Sequence, residues 1–387
     1  MPDTQTAAPA RKPRLAAIEY IRGISMVGVI AIHIGSQYIV NTSANLHLVA
    51  LMEIVSRFSV PIFFFISAFG LFYNLDMQAK FDYGAFLRKR FKAVLIPYLV
   101  WSVFYLLHDA VFYHTGFPDP IRLGGLLLFG AAKYQLYFLV ILIWFYLLMP
   151  LWIYWVQRIG PKGFAGLLLA QIAFDYWSSY SVDFNIFVYG LPDDSLLKPF
   201  LMYRLNYWVV HYLFIFMFGG WLALHMEQFY AFMREKRRFI TLVFWASLGS
   251  LLWYYYHLIY KEGYTALEAI NTAHQLSPEG IFYTLGASLF FFTIFTYQKY
   301  PQALNPLLHV LGKHSYFAYL VHPLFIGYIA QYLETRGIIL TAPLTIAMFC
   351  VVLVLSVLAA IACRRLGQYI PIINILTIGS FPRKKKA

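Results

Sequence analysis

The sequence predicts an all-α fold, a polytopic bundle of transmembrane helices with about ten spans and both termini in the cytoplasm. Of its 387 residues, 61% are hydrophobic and only 12% are charged, and the mean hydropathy is +0.64. Long apolar windows alternate with polar or Pro/Gly-marked breaks along the chain. Basic residues are concentrated in alternate breaks. This pattern is typical of an integral membrane protein and not of a large soluble core.

Ten apolar windows are long enough to cross a bilayer as helices. They cover residues 15–40, 48–73, 93–113, 134–156, 163–182, 206–226, 239–260, 279–298, 314–334 and 340–362. If the chain starts inside, 22 of the 30 Lys and Arg residues lie in cytoplasmic segments, 6 in outer segments and 2 within spans. This asymmetry supports the orientation and an even number of crossings. We therefore expect a multi-pass protein of the inner or plasma membrane.

Three segments follow from these windows. Residues 1–14 form a cytoplasmic tail, residues 15–362 the transmembrane domain and residues 363–387 a basic cytoplasmic tail. The first window is too long and too charged for a cleaved signal, so we expect it to be retained as the first span. The final tail carries a short apolar stretch beside a run of lysines, and we expect it to lie on the inner leaflet.

Composition and missing motifs exclude several function classes. The net charge of +13 is explained by the positive-inside rule, and no basic helix or aromatic-basic platform indicates nucleic-acid binding. Cys350 and Cys363 have neither a disulfide framework nor metal-ligand spacing. The sequence contains no Gly-x-Ser-x-Gly, His-Glu-x-x-His or Walker motif and no acidic pair for Mg²⁺. We expect no metal, and neither a common lipase nor an ATP-driven pump.

The first window carries Glu19, Arg22 and His33. Arg22 and His33 are eleven residues apart, which puts them on one helix face and about 16 Å apart along the axis. Ionisable groups in a span normally face a protein interior or a wet cavity, and histidine can act as base, nucleophile or proton relay. The alternatives are a snorkelling arginine and a packed, hydrogen-bonded histidine. The shared face favours a functional role.

Other windows supply candidate binding residues. Glu53 and Arg57 have the i, i+4 spacing of an ion pair, which is either structural or part of a substrate site. Arg88, Arg90 and Lys92 lie beside the membrane, where they suit anionic lipid or the phosphates of a nucleotide-like cofactor.

Aromatic and polar residues of later windows complete the candidates. Tyr137 belongs to an aromatic belt or a binding wall. Ser315, Tyr319 and His322 form one polar stripe that serves either helix packing or substrate binding. Asp175 and His211 are further intramembrane ionisable groups whose spacing specifies no partner.

Several segments together resemble the membrane acyltransferase family 3. The first, Ile18-Glu-Tyr-Ile-Arg22-Gly with His33, is similar to the family's Arg-x10-His signature. Others are the Phe-rich run 59–72, the basic run 90–98, Tyr137-Phe138 and residues 311–323. In place of the common Gly-Val-Asp the chain has Ser-Val-Pro at 59–61, and Ala68 replaces the usual glycine. The Ser-Val-Pro form resembles the branch of acetyl- and succinyltransferases, and we expect no appended esterase-like domain.

The resemblance implies an O-acyltransferase with about ten core spans that transfers an acyl group from acyl-CoA, most simply acetyl-CoA, to an extracytoplasmic or lipid-linked glycan. It implies that Arg22 and His33 are essential. On this hypothesis Arg22, with Arg88, Arg90 and Lys92, holds the donor, and Glu19 orients Arg22. His33 acts as general base or acyl carrier, while Glu53, Arg57, Tyr137, Ser315, Tyr319 and His322 bind the acceptor.

Two other classes remain open at the level of sequence. The same buried charges suit a transporter or flippase of a polysaccharide precursor, although no inverted repeat is visible. A structural membrane protein of a glycan-export complex is the third class. Besides the glycan and membrane lipid, we expect as partners a second copy of the chain or a glycan-biosynthesis complex.

Overall fold

The computed structural model describes residues 13–41 and 43–381, and these residues form helices and connecting turns without a strand. In chain order the α-helices are α1 Ala16–Tyr38, α2 Leu46–Val49, α3 Ser59–Tyr73, α4 Tyr83–Phe112, α5 Pro120–Phe129, α6 Tyr137–Leu147, α7 Met149–Val156, α8 Pro161–Tyr180, α9 Val182–Gly190, α10 Leu197–Met202, α11 Arg204–Tyr207, α12 Leu213–Leu224, α13 Met226–Glu235, α14 Arg237–Tyr260, α15 Ala266–Thr272, α16 Pro278–Thr296, α17 Asn305–Thr335, α18 Ala342–Tyr369 and α19 Pro371–Ile378. A π-helix, Ala50–Ile54, follows α2 directly.

The predicted all-α membrane bundle is confirmed, because each apolar window contains helix and several helices can span a bilayer. Six described helices are long and apolar enough: α1, the stretch Leu46–Tyr73, α4, α14, α16 and α18. The number rises to eight if two bent pairs each form one span, α6 with α7 at 67° and Val209–Leu224 with α13 at 99°. Helices α8 and α17 are 20 and 31 residues long but more polar. The count of ten and the cytoplasmic termini stay predictions.

Local sequence signals account for several helix starts. The Asp119 side chain accepts hydrogen bonds from the first turn of α5, and Pro120 occupies the first helical position. Ser277 and Pro278 begin α16 in the same way. Capping oxygens satisfy backbone N–H groups that have no partner within the helix, and proline lacks such a group.

Helix α1 lies at the centre of the bundle and packs along α17 and α3. A Cβ on Gly23 would come within 2.9 Å of the Gly312 backbone nitrogen, and one on Gly312 within 2.2 Å of the Glu19 carbonyl oxygen. The backbones of α1 and α17 therefore touch at this crossing, as small residues permit in membrane bundles. We call the end of the bundle where α1 begins the inner end and the opposite end the outer end.

The chain is irregular where α2 leads into α3. The Val55 N–H donates to the Ala50 carbonyl at 3.0 Å, the i to i+5 pattern of a π-helix, and α3 resumes only at Ser59. Pro61 cannot donate to the Arg57 carbonyl, which explains why the regular helix begins after Arg57. Short π-segments of this kind occur frequently at functional sites. Here the irregular turn carries Glu53 and Arg57.

At the other end of the chain, α18 continues to Tyr369 and α19 follows at once. Residues 363–369 therefore belong to the last long helix, and the division into a transmembrane domain and a cytoplasmic tail at residue 363 stays a prediction. The basic run 383–386 and residues 1–12 lie outside the described residues.

Candidate functional site

A cavity of about 460 Å³ opens at the inner end of the bundle, and we call it the inner cavity. Its lining residues are Pro13, Arg14, Leu15, Ile18, Glu19, Arg22, Ser67, Gly70, Leu71, Tyr73, Asn74, Arg90, Tyr146, Gly312, Lys313 and Arg364. Five of these side chains are basic and only Glu19 is acidic. A concave site with this excess of positive charge attracts anions, and its arginines suit phosphate in particular.

Arg22 projects into the inner cavity from α1. Its side chain is exposed to the cavity, and it makes no hydrogen bond or ion pair with any residue in the described part of the chain. The hypothesis that Glu19 orients it directly finds no support in the contacts. The Glu19 carboxylate lies 3.0 Å from His309 Nδ1 on α17 instead. Residues three apart are neighbours on a helix, but α17 offers Glu19 a closer partner. The guanidinium is left with donors for a ligand.

The predicted basic group 88–92 divides between two surfaces. Arg90 lines the inner cavity, where its guanidinium lies 5.8 Å from the Tyr146 ring centroid and 5.5 Å from that of Phe86. Arg88 and Lys92 are exposed and are not among the lining residues, and the Lys92 ammonium lies over the Phe381 ring instead. Residues two apart point in nearly opposite directions on a helix, which separates Arg90 from both neighbours.

Arg14, Lys313 and Arg364 complete the cationic lining, and sequence reasoning did not select them. They come from the segment before α1, from α17 and from α18, and Arg364 donates to the Lys313 carbonyl at 3.0 Å. Each belongs to a basic segment near a span end, which is the only sequence signal they carry. Position near a span end is shared by most of the chain's basic residues, so it does not identify a site.

His33 lies on α1, three helical turns toward the outer end from Arg22, at a distance of about 16 Å along the axis. Its ring is half-buried between Tyr134, with centroids 4.3 Å apart, and His322 on α17, with centroids 5.4 Å apart and planes inclined by 18°. Neither ring nitrogen is hydrogen-bonded to any residue in the part of the chain that the structure describes. His33 is not among the residues that line the inner cavity.

The polar stripe on α17 has mixed roles. Ser315 Oγ donates to the Gly312 carbonyl at 2.9 Å, and the Tyr319 hydroxyl donates to the Gln135 carbonyl. His322 Nδ1 donates to the Tyr319 carbonyl at 2.7 Å, while its buried Nε2 has no partner within the described residues. Ser315 thus bonds to the backbone of its own helix, and Tyr319 joins α17 to the backbone at Gln135. His322 presents a free acceptor nitrogen beside His33.

Glu53 and Arg57 form the ion pair that their spacing predicts, with 3.3 Å between Arg57 Nη2 and Glu53 Oε2. Ser36 on α1 donates to Glu53 Oε1 at 2.8 Å, and Arg57 donates to the Ile270 carbonyl at 2.8 Å. Arg57 Nε is buried without a partner in the described chain. The pair therefore joins α1, the π-helix and α15, and it keeps one unused donor.

A second cavity, of about 210 Å³, lies at the outer end, and we call it the outer cavity. Its lining residues are Arg57, Tyr137, Leu205, Asn206, Tyr212, Ile270, Asn271, His274, Gln275 and Leu276. Burial, together with the neighbouring charges of Arg57 and His211, lowers the pKa of His274 to about 3, so the ring is neutral at physiological pH. Amides, hydroxyls and a neutral imidazole suit the many hydroxyls of a sugar.

Buried tyrosines occupy the region between the two cavities. Tyr146 lines the inner cavity, and Tyr316 nearby has a buried hydroxyl without a hydrogen-bond partner in the described chain. Tyr319 lies near Tyr316 and near Tyr137, which lines the outer cavity. The inner and outer cavities are therefore separated in this structure by a layer of side chains that includes these tyrosine hydroxyls.

Asp175 and His211 pair with one another, although their sequence positions specified no partner. His211 Nδ1 lies 2.5 Å from Asp175 Oδ1, and both side chains are fully buried. Gln171 donates to the His211 carbonyl at 2.8 Å and accepts from the Phe214 N–H at 2.7 Å, which fastens α8 to the start of α12. Within the described residues no group of three or more His, Cys, Asp or Glu is placed to hold a metal ion.

The chain is similar in sequence to a known protein family and to two curated proteins. A family model described as an acyltransferase domain matches residues 15–365. Two curated Staphylococcus epidermidis proteins are 20% identical to the chain over 320 residues, and each is named as a probable poly-beta-1,6-N-acetyl-D-glucosamine export protein. The aligned region covers 81% of this chain and 81% of each relative. No solved structure matches the chain significantly. With a family match over nearly the whole helical bundle, the chain belongs to the membrane acyltransferase family 3 as a multi-pass membrane protein.

Proposed function

We propose that this membrane acyltransferase moves an acyl group, most simply acetyl, from acyl-CoA at the inner end to a hydroxyl of a glycan at the outer end. One observation carries the proposal. Arg22 and His33 lie on the same helix, Arg22 faces the inner cavity, and neither side chain has a hydrogen-bond partner among the described residues. An ionisable side chain without a partner inside a membrane bundle raises the free energy of the folded protein, and a bound ligand can offset that cost.

The inner cavity is the proposed donor site. Coenzyme A carries several phosphates, and five basic side chains surround the cavity against one carboxylate. Arginine binds phosphate oxygens with paired, charge-assisted hydrogen bonds. Arg22, Arg90 and Arg364 are suited to the phosphates of the donor. The thioester arm then extends along α1 past Tyr146 and Tyr316 toward His33.

His33 is the proposed catalytic residue. As a general base it takes the proton from the acceptor hydroxyl, whose oxygen attacks the thioester carbonyl carbon. The carbon–sulfur bond breaks, an ester bond forms, and the departing sulfur receives the proton from His33, which leaves free CoA thiol. In the alternative course His33 first accepts the acyl group on a ring nitrogen, and the sugar hydroxyl then attacks that acyl-imidazole. Both courses release the same products.

The outer cavity is the proposed acceptor site. Arg57, Tyr137 and His274 line it together with three amide side chains, a set that matches the hydroxyl groups of a carbohydrate. The Staphylococcus epidermidis relatives are named for a polymer of N-acetylglucosamine, so an amino-sugar polysaccharide is the first acceptor to test. Succinyl-CoA is the second donor to test after acetyl-CoA.

Transport is the second candidate, since those relatives are named as export proteins and two helix pairs are bent by 67° and 99°. Bent or broken helices often form substrate sites in transporters. A flippase would use the same buried charges along a translocation path. The two candidates differ in whether a covalent product forms.

The test uses purified protein in proteoliposomes supplied with radiolabelled acetyl-CoA and N-acetylglucosamine oligomers, or the surface glycan of the producing cell. Wild type is expected to place label on the glycan, and His33→Ala to lower the rate by at least about 100-fold, the scale of a lost general base. Circular dichroism and the thermal midpoint check that the variant is folded. His225→Ala is the control, since the His225 ring contacts Trp221 and lines neither cavity.

Two outcomes contradict the proposal. Full transfer by a folded His33→Ala protein removes His33 from the chemistry. Accumulation of glycan in the vesicle lumen without any acetylated product establishes transport instead.

A further inference from the structure

Asp175 on α8 and His211 before α12 form a buried pair that the proposed mechanism does not use. His211 Nδ1 lies 2.5 Å from Asp175 Oδ1, and neither side chain is exposed. When the carboxylate accepts, the proton lies on Nδ1 and Nε2 is an acceptor. That Nε2 is buried without a partner in the described chain. A histidine held this way by a carboxylate has the arrangement of a general base.

A cavity of about 10 Å³ lies against His211, and we call it the small cavity. Its lining residues are Pro61, Gln171, His211, Tyr212, Phe214, Ile215, Gln275, Leu276, Ile281 and Thr284. The volume suits one water molecule, which needs about two to four polar partners. His211 Nε2, the Gln275 amide and Thr284 Oγ1 are available, and the threonine oxygen is also buried without a partner among the described residues. The small cavity therefore has the size and the polar groups of a water site.

The small cavity and the outer cavity share Tyr212, Gln275 and Leu276 as walls. The Tyr212 hydroxyl lies near the Gln275 amide and near the Tyr137 hydroxyl of the outer cavity. The shared wall thus contains hydrogen-bonding groups and not only hydrocarbon. Hydroxyl groups and water can pass a proton along hydrogen bonds, so His211 is connected to the outer cavity without lining it.

The outer cavity has no evident base among its own described lining residues. None of them is a carboxylate, and Arg57 is a cation. His274 Nδ1 accepts the Leu276 N–H at 3.0 Å, so Nε2 of the neutral ring carries the proton and donates. His33 is not among the lining residues. An acceptor hydroxyl bound in the outer cavity therefore needs a base from beyond the walls.

We propose that the Asp175–His211 pair, acting through a water in the small cavity, is the general base for the acceptor hydroxyl, and that His33 carries the acyl group. This inference rests on the proposed function and selects the second of its two courses. Arg57 lies near the His33 ring and also lines the outer cavity, so an acyl group on His33 is close to an acceptor bound there. The two histidines divide the chemistry between them.

The proton balance closes over two steps. First, a ring nitrogen of His33 attacks the thioester carbonyl carbon, the carbon–sulfur bond breaks, and the sulfur leaves with the proton of the other ring nitrogen. Second, the acceptor hydroxyl gives its proton by way of Tyr212 and the water to His211 Nε2, and its oxygen attacks the acyl carbon. The carbon–nitrogen bond breaks, and the proton on His211 returns by the same route to the His33 ring.

The test follows label from radiolabelled acetyl-CoA on the purified full chain in nanodiscs. The protein is incubated with acetyl-CoA alone, rapidly desalted, and then given either N-acetylglucosamine oligomers or hydroxylamine. Hydroxylamine attacks an acyl-imidazole without first losing a proton, so its reaction needs no base. His211→Gln removes the base. The control is His314→Gln, because His314 is also buried and lines none of the described cavities.

Wild type and His211→Gln are expected to take up equal label at His33, located by peptide mass spectrometry, and to lose it to hydroxylamine at the same rate. Transfer to the glycan is expected to be at least about 100-fold slower in His211→Gln, the scale of a lost general base. His314→Gln should match wild type with both acceptors. Wild-type transfer to the glycan by His211→Gln, or equal slowing with glycan and hydroxylamine, overturns the inference.

Thr284→Val is the second variant and decides the question if His211→Gln takes up no label. Thr284 lines the small cavity and not the outer cavity, so its loss acts on the water and not on a bound glycan. We expect glycan transfer to slow by about tenfold, the effect of one lost hydrogen bond, with hydroxylamine release unchanged. No slowing with the glycan, or equal slowing with both acceptors, contradicts a water relay.

Failure of this inference is distinguishable from failure of the proposed function. Glycan transfer by wild type without any label on the protein overturns the inference and leaves the acyltransferase, with His33 as the base. Wild type that neither takes up label nor acetylates the glycan overturns the proposed function itself.

Discussion

The imidazole rings of His33 and His322 are stacked, with centroids 5.4 Å apart and planes inclined by 18°. His33 belongs to α1 and His322 to α17, and the two helices touch through their backbones nearer the inner end. Because His322 Nδ1 donates to the Tyr319 carbonyl, the neutral ring presents Nε2 as an acceptor. A proton handled by His33 therefore has a second imidazole as its immediate neighbour.

His322→Phe keeps an aromatic ring in the stack and removes both nitrogens. We expect kcat to fall by about tenfold, the range of one hydrogen bond to a reacting group, with the KM for acyl-CoA unchanged. The KM should not move because His322 is absent from the lining of the inner cavity. Steady-state kinetics with varied acyl-CoA check this. His225→Phe is the control, and an unchanged kcat in a folded His322→Phe protein would show that His322 only packs.

Arg364→Gln removes one cation from the inner cavity and keeps much of the side-chain volume. We expect the KM for acyl-CoA to rise about tenfold, since a charge-assisted hydrogen bond contributes roughly 1.5–3 kcal/mol. The effect should shrink as salt is raised, because salt screens the wild-type attraction. The control is Arg158→Gln, because Arg158 is exposed and lies over the Tyr154 ring outside the cavity. Equal changes in both variants would contradict a phosphate site at Arg364.

Gly312→Ala tests the crossing of α1 and α17. The added methyl group would lie 2.2 Å from the Glu19 carbonyl oxygen, so the two helices must separate. Overpacking of this kind costs about 1–3 kcal/mol, and we expect a lower thermal midpoint together with weaker acyl-CoA binding as Arg22 shifts. Gly249→Ala on α14 is the matched control, because a methyl group there meets no neighbour within 4 Å. Wild-type stability of Gly312→Ala would argue against the tight crossing.

His274 predicts a pH dependence of stability. Burial and the nearby Arg57 lower its pKa from the ordinary histidine value of 6.5 to about 3 in the folded protein. Between these values the unfolded chain binds a proton that the folded chain does not, so the free energy of unfolding falls as the pH falls from about 6.5 toward 3.

His274→Gln removes this titration, and we expect the thermal midpoint of the variant to decline less than that of wild type between pH 7.5 and 4.5. Thermal melts in detergent at the two pH values measure the difference. His47→Gln is the control, since His47 is exposed and its ring contacts Tyr256 at the bundle surface. Parallel declines in wild type and His274→Gln would mean that His274 is not buried as the structure places it.

Features that depend on one helix were predictable from the amino-acid sequence. The apolar windows anticipated the helices, since a bilayer requires long apolar runs. The helical repeat placed Arg22 and His33 on one face and Glu53 beside Arg57, because spacing along a single helix sets which side chains are neighbours. The resemblance to the acyltransferase family rested on these same segments, and the family match confirmed it.

Features that join distant segments required the folded chain. Arg364 lines the inner cavity because α18 packs against α1 and α17. Asp175 and His211 are hydrogen-bonded although 36 residues of sequence separate them. The Glu19 carboxylate contacts His309 on α17 and not Arg22, because the packing of α17 on α1 places the His309 ring 3.0 Å from that carboxylate. Local periodicity contains no information about which helices become neighbours, since that choice depends on the packing of many side chains at once.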